Sequence, residues 1–336
     1  MKLRISALAF LTVIGACSTD VELIAPGDPI PVVYCLLDPE DSIQYVRIGS
    51  TYSVYPGDTN FRPDQKEILV DQEMSVYLSI EYTDLSQKIT FGYPVYNIQK
   101  DSGWFPSTVN QMYAIPCRIE PGARYSLYIH FPATNKIIHG ETVSFDGMLS
   151  VVDPELVPGR EATLLNSTDY YVRIHTVTYG PIFQSTMTFR YAELKNGIRK
   201  DKSLVLPQKF IYQYDPMVKY CEQRISGERF LIEVARAIQP EEKVRRIPLG
   251  LDFHVSLGGS DLALKIQAEN NTQSFSILEV NSFDNAIGVF SCLTHARIFN
   301  VPLSRFTIDT LALGPQTRNL GFLTAAQIDS MNYETH

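Results

Sequence analysis

Val32-Val33-Tyr34-Cys35-Leu36-Leu37 is a six-residue run of β-branched, aromatic and aliphatic side chains, closed by Asp38-Pro39-Glu40-Asp41. The run is too short for a globular helix, and its unbroken apolar text predicts a strand buried on both faces. The four residues after it are turn chemistry, a proline framed by carboxylates that bond their own backbone. Ile43-Gln44-Tyr45-Val46-Arg47-Ile48 then predicts the returning arm of a hairpin. Outward from this pair, strand text recurs at residues 74–82, 88–91, 111–119, 124–131 and 135–145, with Pro121-Gly122 turning the chain between two of them. Short strands at this spacing with no helical period among them predict an immunoglobulin-like β-sandwich over residues 32–147.

The remainder, residues 148–336, predicts a β-rich α+β domain. Strand text lies at 148–152, 170–178, 185–193, 204–212, 251–257, 288–293 and 296–301. Residues 216–224 fit two helical turns and residues 229–238 fit either a strand or a helix. Ser260 followed by Asp261 offers a helix N-cap for residues 262–270. A polar tail is expected to close the chain. The fold class is therefore mainly β, a sandwich followed by a β-rich α+β domain.

The first sixteen residues have another character. Lys2 and Arg4 precede the apolar run Ile5–Ile14, the anatomy of a secretory signal. The run falls short of the roughly 20 apolar residues that cross a bilayer, so residues 1–16 are expected to be cleaved. Ile14-Gly15-Ala16-Cys17 resembles the lipobox of bacterial lipoproteins, in which the cysteine is acylated and becomes the first mature residue. The resemblance implies lipid on Cys17, membrane attachment through that lipid, and residues 17–31 as a tether stiffened by Pro26, Pro29 and Pro31. Asp20 and Glu22 resemble the surface-export signal of lipoproteins in Bacteroidota-type envelopes. That implies an outer-membrane protein at the cell surface rather than on the periplasmic face.

Charge and cysteines narrow the classes. After removal of residues 1–16 the chain has 27 basic and 37 acidic residues, a net of −10, which leaves no electrostatic drive toward nucleic acid. Cys35, Cys117, Cys221 and Cys292 have neither metal nor redox spacing. In an exported chain they allow up to two disulfides in three connectivities, and equally they fit small buried hydrophobes.

Motifs of catalysis are missing. The sequence has no Gly-x-Ser-x-Gly elbow, no His-Glu-x-x-His pair and no phosphate-cradling glycine loop, so no catalytic residue, resident metal or cofactor is expected. Asp38, Glu40 and Asp41 in one turn, or Asn281, Asp284 and Asn285, offer oxygens to a cation but without the spacing of a dedicated loop; solvated turn carboxylates are the simpler reading. His130 and His139 come near one another only if their strands pair. Lys243, Arg245 and Arg246 form a basic group that suits an acidic partner or a solvated turn. Tyr93, Tyr96, Trp104, Phe105 and Tyr113 crowd a stretch rich in glycine and proline. They are the candidate ligand- or partner-binding residues, read as an exposed aromatic loop.

Ala25-Pro26, then Val32-Val33-Tyr34 leading to Leu36-Leu37-Asp38, then Gln44-Tyr45-Val46-Arg47-Ile48, and near the end Asn285-Ala286-Ile287-Gly288-Val289-Phe290-Ser291 together resemble a family of Bacteroidota outer-membrane lipoproteins, domain of unknown function 4249. Cys35 stands where that pattern carries glycine. The resemblance implies an accessory or binding subunit of an envelope complex, of the kind that accompanies TonB-dependent receptors or a secretion and assembly machine. It carries over no catalytic residue. Two other expectations remain open: a surface binder of glycan or peptide, and a fimbrillin-like structural subunit that exchanges its first strand between copies.

Overall fold

A computed structural model describes residues 30–50, 73–98, 110–147, 149–153, 160–167, 169–175, 179–206, 209–213, 215, 217, 220–270 and 281–333. The protein is mainly β: among the described residues 55% are in strands and 17% in helices. The first half contributes β1 (Pro31–Leu37), β2 (Ile43–Ser50), β3 (Ser75–Glu81), β4 (Gln87–Phe91), β5 (Tyr93–Ile98), β6 (Asn110–Pro116), β7 (Arg124–Phe131) and β8 (Lys136–Val143). The second half continues with β9 (Ser150–Asp153), β10 (Asp169–His175), β11 (Ile182–Lys195), β12 (Ile198–Val205), β13 (Lys209–Tyr212), β14 (Tyr220–Ser226), α1 (Gly227–Ala237), β15 (Arg245–Gly258) and α2 (Ser260–Asn270). It closes with β16 (Phe283–Asp284), β17 (Ile287–Val301), α3 (Arg305–Leu313) and α4 (Ala325–Tyr333).

One nine-stranded sheet runs β12-β11-β15-β17-β1-β2-β6-β5, with β13 also beside β11. Its centre is the meeting of the chain's two ends. β1 pairs in parallel with β17, Val33 opposite Gly288 and Leu37 opposite Cys292, and antiparallel with β2, Cys35 opposite Val46. Gly288 permits the approach: its φ is +140°, and a Cβ there would lie 1.8 Å from the Val33 carbonyl oxygen.

Two hydrophobic cores lie side by side on one face of this sheet. In the first, Val33, Cys35, Leu37, Val46 and Ile48 pack on Leu78, Ile80, Tyr125, Leu127 and Ile129 of the five-stranded sheet β16-β8-β7-β3-β4. In the second, Phe183, Phe189, Leu251, Phe253 and Val255 pack on the three-stranded sheet β14-β10-β9 and on Phe230, Leu231 and Val234 of α1. β17 serves both. Phe290 and Cys292 belong to the first core, and Ala296, Ile298 and Val301, on the same side of the strand, belong to the second. Residues 32–147 thus supply most of the first core and residues 283–292 complete it. Phe145 touches both clusters.

Several local expectations change. β1 is buried on one face only: Val33, Cys35 and Leu37 point into the core while Tyr34 and Leu36 are about two-fifths exposed. Six apolar residues did not mean two covered faces, because among the described residues no layer covers Tyr34 and Leu36. Residues 220–226 form a strand, with Cys221, Gln223 and Ile225 buried in alternation, so the part of the helical turns expected over 216–224 that is described is strand instead; the period of two wins by filling the core. Helix follows directly at α1, where Ser226 Oγ accepts from Arg229 N and Phe230, Leu231 and Val234 share the buried face. The text at 288–293 and 296–301 is one strand of 15 residues. The tail, read in the sequence only as polar, holds α3 and α4 within residues 305–333. Both helices are short, and exposed Phe306 and Leu313 blur the apolar stripe that would announce α3. No helix among the described residues is long and apolar enough to cross a membrane.

Candidate functional site

Cys17, Trp104 and Phe105 lie outside the described residues. The other three candidates are placed, and they separate. Tyr93 and Tyr96 stand on a strand, β5, rather than a loop, with 48% and 57% of their surface exposed. Tyr113 on β6 points the opposite way, opposite Val46, and is only 6% exposed within the first core. The pleat explains the split: neighbours along a strand face opposite sides, so Tyr113 packs inward while Ala114 faces out beside Tyr93.

The outer face of the large sheet brings Tyr93 together with residues that were not binding candidates in the sequence. Tyr45, Ala114 and Tyr93 lie side by side on β2, β6 and β5. Ala114 is 1% exposed although it points outward, because a methyl group between two tyrosines is shielded by them. The adjacent row is Tyr34, Arg47, Met112 and Val95. Together with Leu36, three half-exposed tyrosines form a flat, largely apolar surface with one cation. The detectable signal was the period of two within each strand; what joins the strands into one surface is their pairing, which the sequence does not state.

A second aromatic row crosses the five-stranded sheet, with Phe91, Tyr77, Tyr128 and His139 on neighbouring strands. Ring centroids are 5.5, 5.0 and 4.5 Å apart, and the last two pairs are stacked. Rings stacked on one another offer their edges outward, whereas a sugar packs on a ring face; this row is built as a structural ladder. The strands of His130 and His139 do pair, but His130 reaches Asn135 at 3.4 Å and His139 stacks on Tyr128 between Glu141 and Asp284.

Where β1 ends, the turn Asp38–Asp41 meets β17. Gln44, 1% exposed, builds this turn: its Oε1 accepts from Asp38 N at 2.8 Å, and its Nε2 donates to the carbonyls of Asp38, Asp41 and Cys117 at 2.9–3.1 Å. Asp38 Oδ1 accepts from Glu40 N at 2.9 Å, and Oδ2 lies 3.0 Å from His295 Nε2. His295 Nδ1 is 2.8 Å from Ser256 Oγ and 3.3 Å from His254 Nε2. The His295 side chain is 6% exposed. Arg297 pairs with Glu40 Oε2. Burial first, then the Arg297 and His295 charges, hold His254 below the usual imidazole range. Glu40 and His295, with Pro39, Ile119, Phe145 and Leu293, line a cavity of about 250 Å³ at the seam between the cores.

Ser256, His295 and Asp38 share a hydrogen-bonded line. Ser256 sits in the middle of β15 and is not on the cavity wall.

The basic group also comes apart. Arg246 is 2% exposed, paired with Glu193 at 3.0 Å and bonded to the Gln239 and Leu320 carbonyls, so it ties β15 to the C-terminal segment and meets no outside partner. Asn281 and Asn285 are turn residues: Asn281 Oδ1 accepts from Phe283 N, and Asn285, with φ +62°, donates to the Ile137 carbonyl. No protein-family model and no curated protein matches the chain.

Proposed function

We propose that the chain is a non-enzymatic, lipid-anchored lipoprotein of the outer membrane, an accessory or binding subunit of a larger envelope complex such as one built on a TonB-dependent receptor. The observation that carries the anchoring is Ile14-Gly15-Ala16-Cys17 after a charged head and a short apolar run. Two or more acyl chains on one cysteine hold a body stably to a membrane, where one chain holds it only marginally. The binding role draws support from the surface of Tyr34, Leu36, Tyr45 and Tyr93. Tyrosines give large contact area at low entropic cost, and a flat apolar patch with a cation suits a protein partner. The partner we assign to that surface is a membrane-embedded subunit of the same complex, because a lipid on Cys17 confines the body to the membrane plane.

The alternatives draw less support. A glycan reading rested on Trp104 and neighbouring tyrosines; Trp104 lies outside the described residues, and the stacked row on the second sheet has its ring faces occupied. Strand exchange between copies needs a first strand with an open neighbour, and β1 has β17 and β2 on its two sides within the chain. Growth with an alkyne fatty acid tests the anchor. Label should enter the wild-type protein and be absent from Cys17→Ala, which should leave the membrane fraction; equal labelling of the variant contradicts the proposal.

A further inference from the structure

We infer that Asp38, Glu40 and His295 form a binding site for one divalent transition-metal ion of the zinc class, beside the cavity at the end of β1 that Glu40 and His295 line. One donor atom from each residue lies within 4.8 Å of the other two. Two donors each about 2.1 Å from an ion at tetrahedral angles stand roughly 3.4 Å apart, so small side-chain rotations bring these three onto one centre. Their chemistry selects the ion. One imidazole with two carboxylates suits zinc and its first-row neighbours, whereas calcium and magnesium take oxygen alone.

Three features separate this group from a chance turn of carboxylates. The first is preorganisation: the buried Gln44 fixes the turn by three hydrogen bonds and ties it to the Cys117 carbonyl by a fourth, and Asp38 Oδ1 is already held by Glu40 N, which aims Oδ2 at His295. The second is the outer partner. With the Nε2 lone pair on the metal, the proton sits on Nδ1 and is donated to Ser256 Oγ at 2.8 Å, with His254 Nε2 at 3.3 Å as a further acceptor. A ligating histidine generally has such a partner on its other nitrogen. The third is access, because Glu40 and His295 face the cavity and leave the remaining coordination position to water or a small anionic ligand. Arg297 holds Glu40 Oε2 and leaves the other carboxylate oxygen for the ion. Its positive charge offsets one carboxylate, so the site binds more weakly than two unpaired carboxylates would.

The test is a zinc titration of the full-length protein, purified without a polyhistidine tag, stripped by chelator and read against a chromogenic zinc indicator. Wild type should take up one zinc per chain. His295→Gln and Asp38→Asn should each weaken uptake by at least about 100-fold, and Ser256→Ala by roughly 10-fold to 100-fold, as an outer partner does. Glu40→Gln keeps the test decisive should the buried variants misfold, since Glu40 is half-exposed and its loss should weaken zinc with no change in the thermal melt of the metal-free protein. No uptake by the folded wild type, or uptake that His295→Gln and Glu40→Gln leave unchanged, overturns the inference and makes Asp38 and His295 a hydrogen-bonded pair only.

Discussion

Asp38 Oδ2 stands 3.0 Å from His295 Nε2 across 257 residues of sequence, joining the turn after the first strand to the middle of the last. The pair exists because β1 lies in parallel beside β17, so the end of one strand is delivered to the flank of the other. Both the seam cavity and the tyrosine surface depend on that central pairing.

Gly288→Ala tests the pairing directly. An added methyl group would fall on the Val33 carbonyl, at a backbone angle that L side chains rarely adopt. The variant should lose at least about 2 kcal/mol in urea unfolding, or fail to accumulate as folded protein, because strain and lost sheet bonds add.

Gln44→Ala should cost about 1–3 kcal/mol. It strips the side-chain donor from the buried Cys117 carbonyl and from the Asp41 carbonyl and the acceptor from Asp38 N, while the Asp38 carbonyl keeps Asp41 N, and a buried group left unsatisfied costs about 1–3 kcal/mol. Gln44→Glu should rescue little, since a carboxylate accepts but does not donate to those carbonyls. Urea midpoints of the two variants check this.

How much of this was legible beforehand depended on whether the signal was local. The β1–β2 hairpin, the alternation through residues 124–131 and the turn at Pro121-Gly122 were readable because apolar period and turn chemistry lie within a few residues. The parallel register of β1 on β17 was not, since nothing in residues 31–37 names a partner at 287–292. For the same reason Asp38 and Glu40 read as solvated turn carboxylates; the buried histidine that changes their meaning arrives on another strand. Tyr113 lies in the core rather than on an exposed loop because the pleat sends alternate residues to opposite faces, so a crowd of rings in sequence is not a crowd in space.

The four cysteines at 35, 117, 221 and 292 are buried free thiols rather than disulfides. Burial pushes all four thiols up, Cys221 and Cys292 to about 12. A thiol held neutral is a poor nucleophile. Native protein should therefore resist an aromatic disulfide reagent over minutes, and all four thiols should titrate once it is unfolded in guanidinium. Two titratable thiols under those conditions would mean a disulfide.

Stability should also depend on pH through His254. Its folded-state pKa is depressed by burial, by Arg297 and by His295, against the opposing pull of Glu40 and Asp38. The unfolded chain takes up this proton near pH 6.5 and the folded chain resists it, so stability is lost as pH falls below about 6.5. The urea midpoint should fall between pH 7 and 5.5, and His254→Gln should flatten that fall. An equally steep fall in the variant would assign the dependence elsewhere.

The most direct measurement is site-specific photocrosslinking in native membranes, with a photoreactive side chain in place of Tyr45 on the tyrosine surface and, as the control, in place of Ile89, exposed on the other sheet. The account predicts a discrete adduct from position 45 to a membrane-embedded envelope protein, no such adduct from position 89, and loss of the first when Cys17 is replaced by alanine. Absence of an adduct at position 45, equal adducts from both positions, or an adduct indifferent to Cys17 would contradict it.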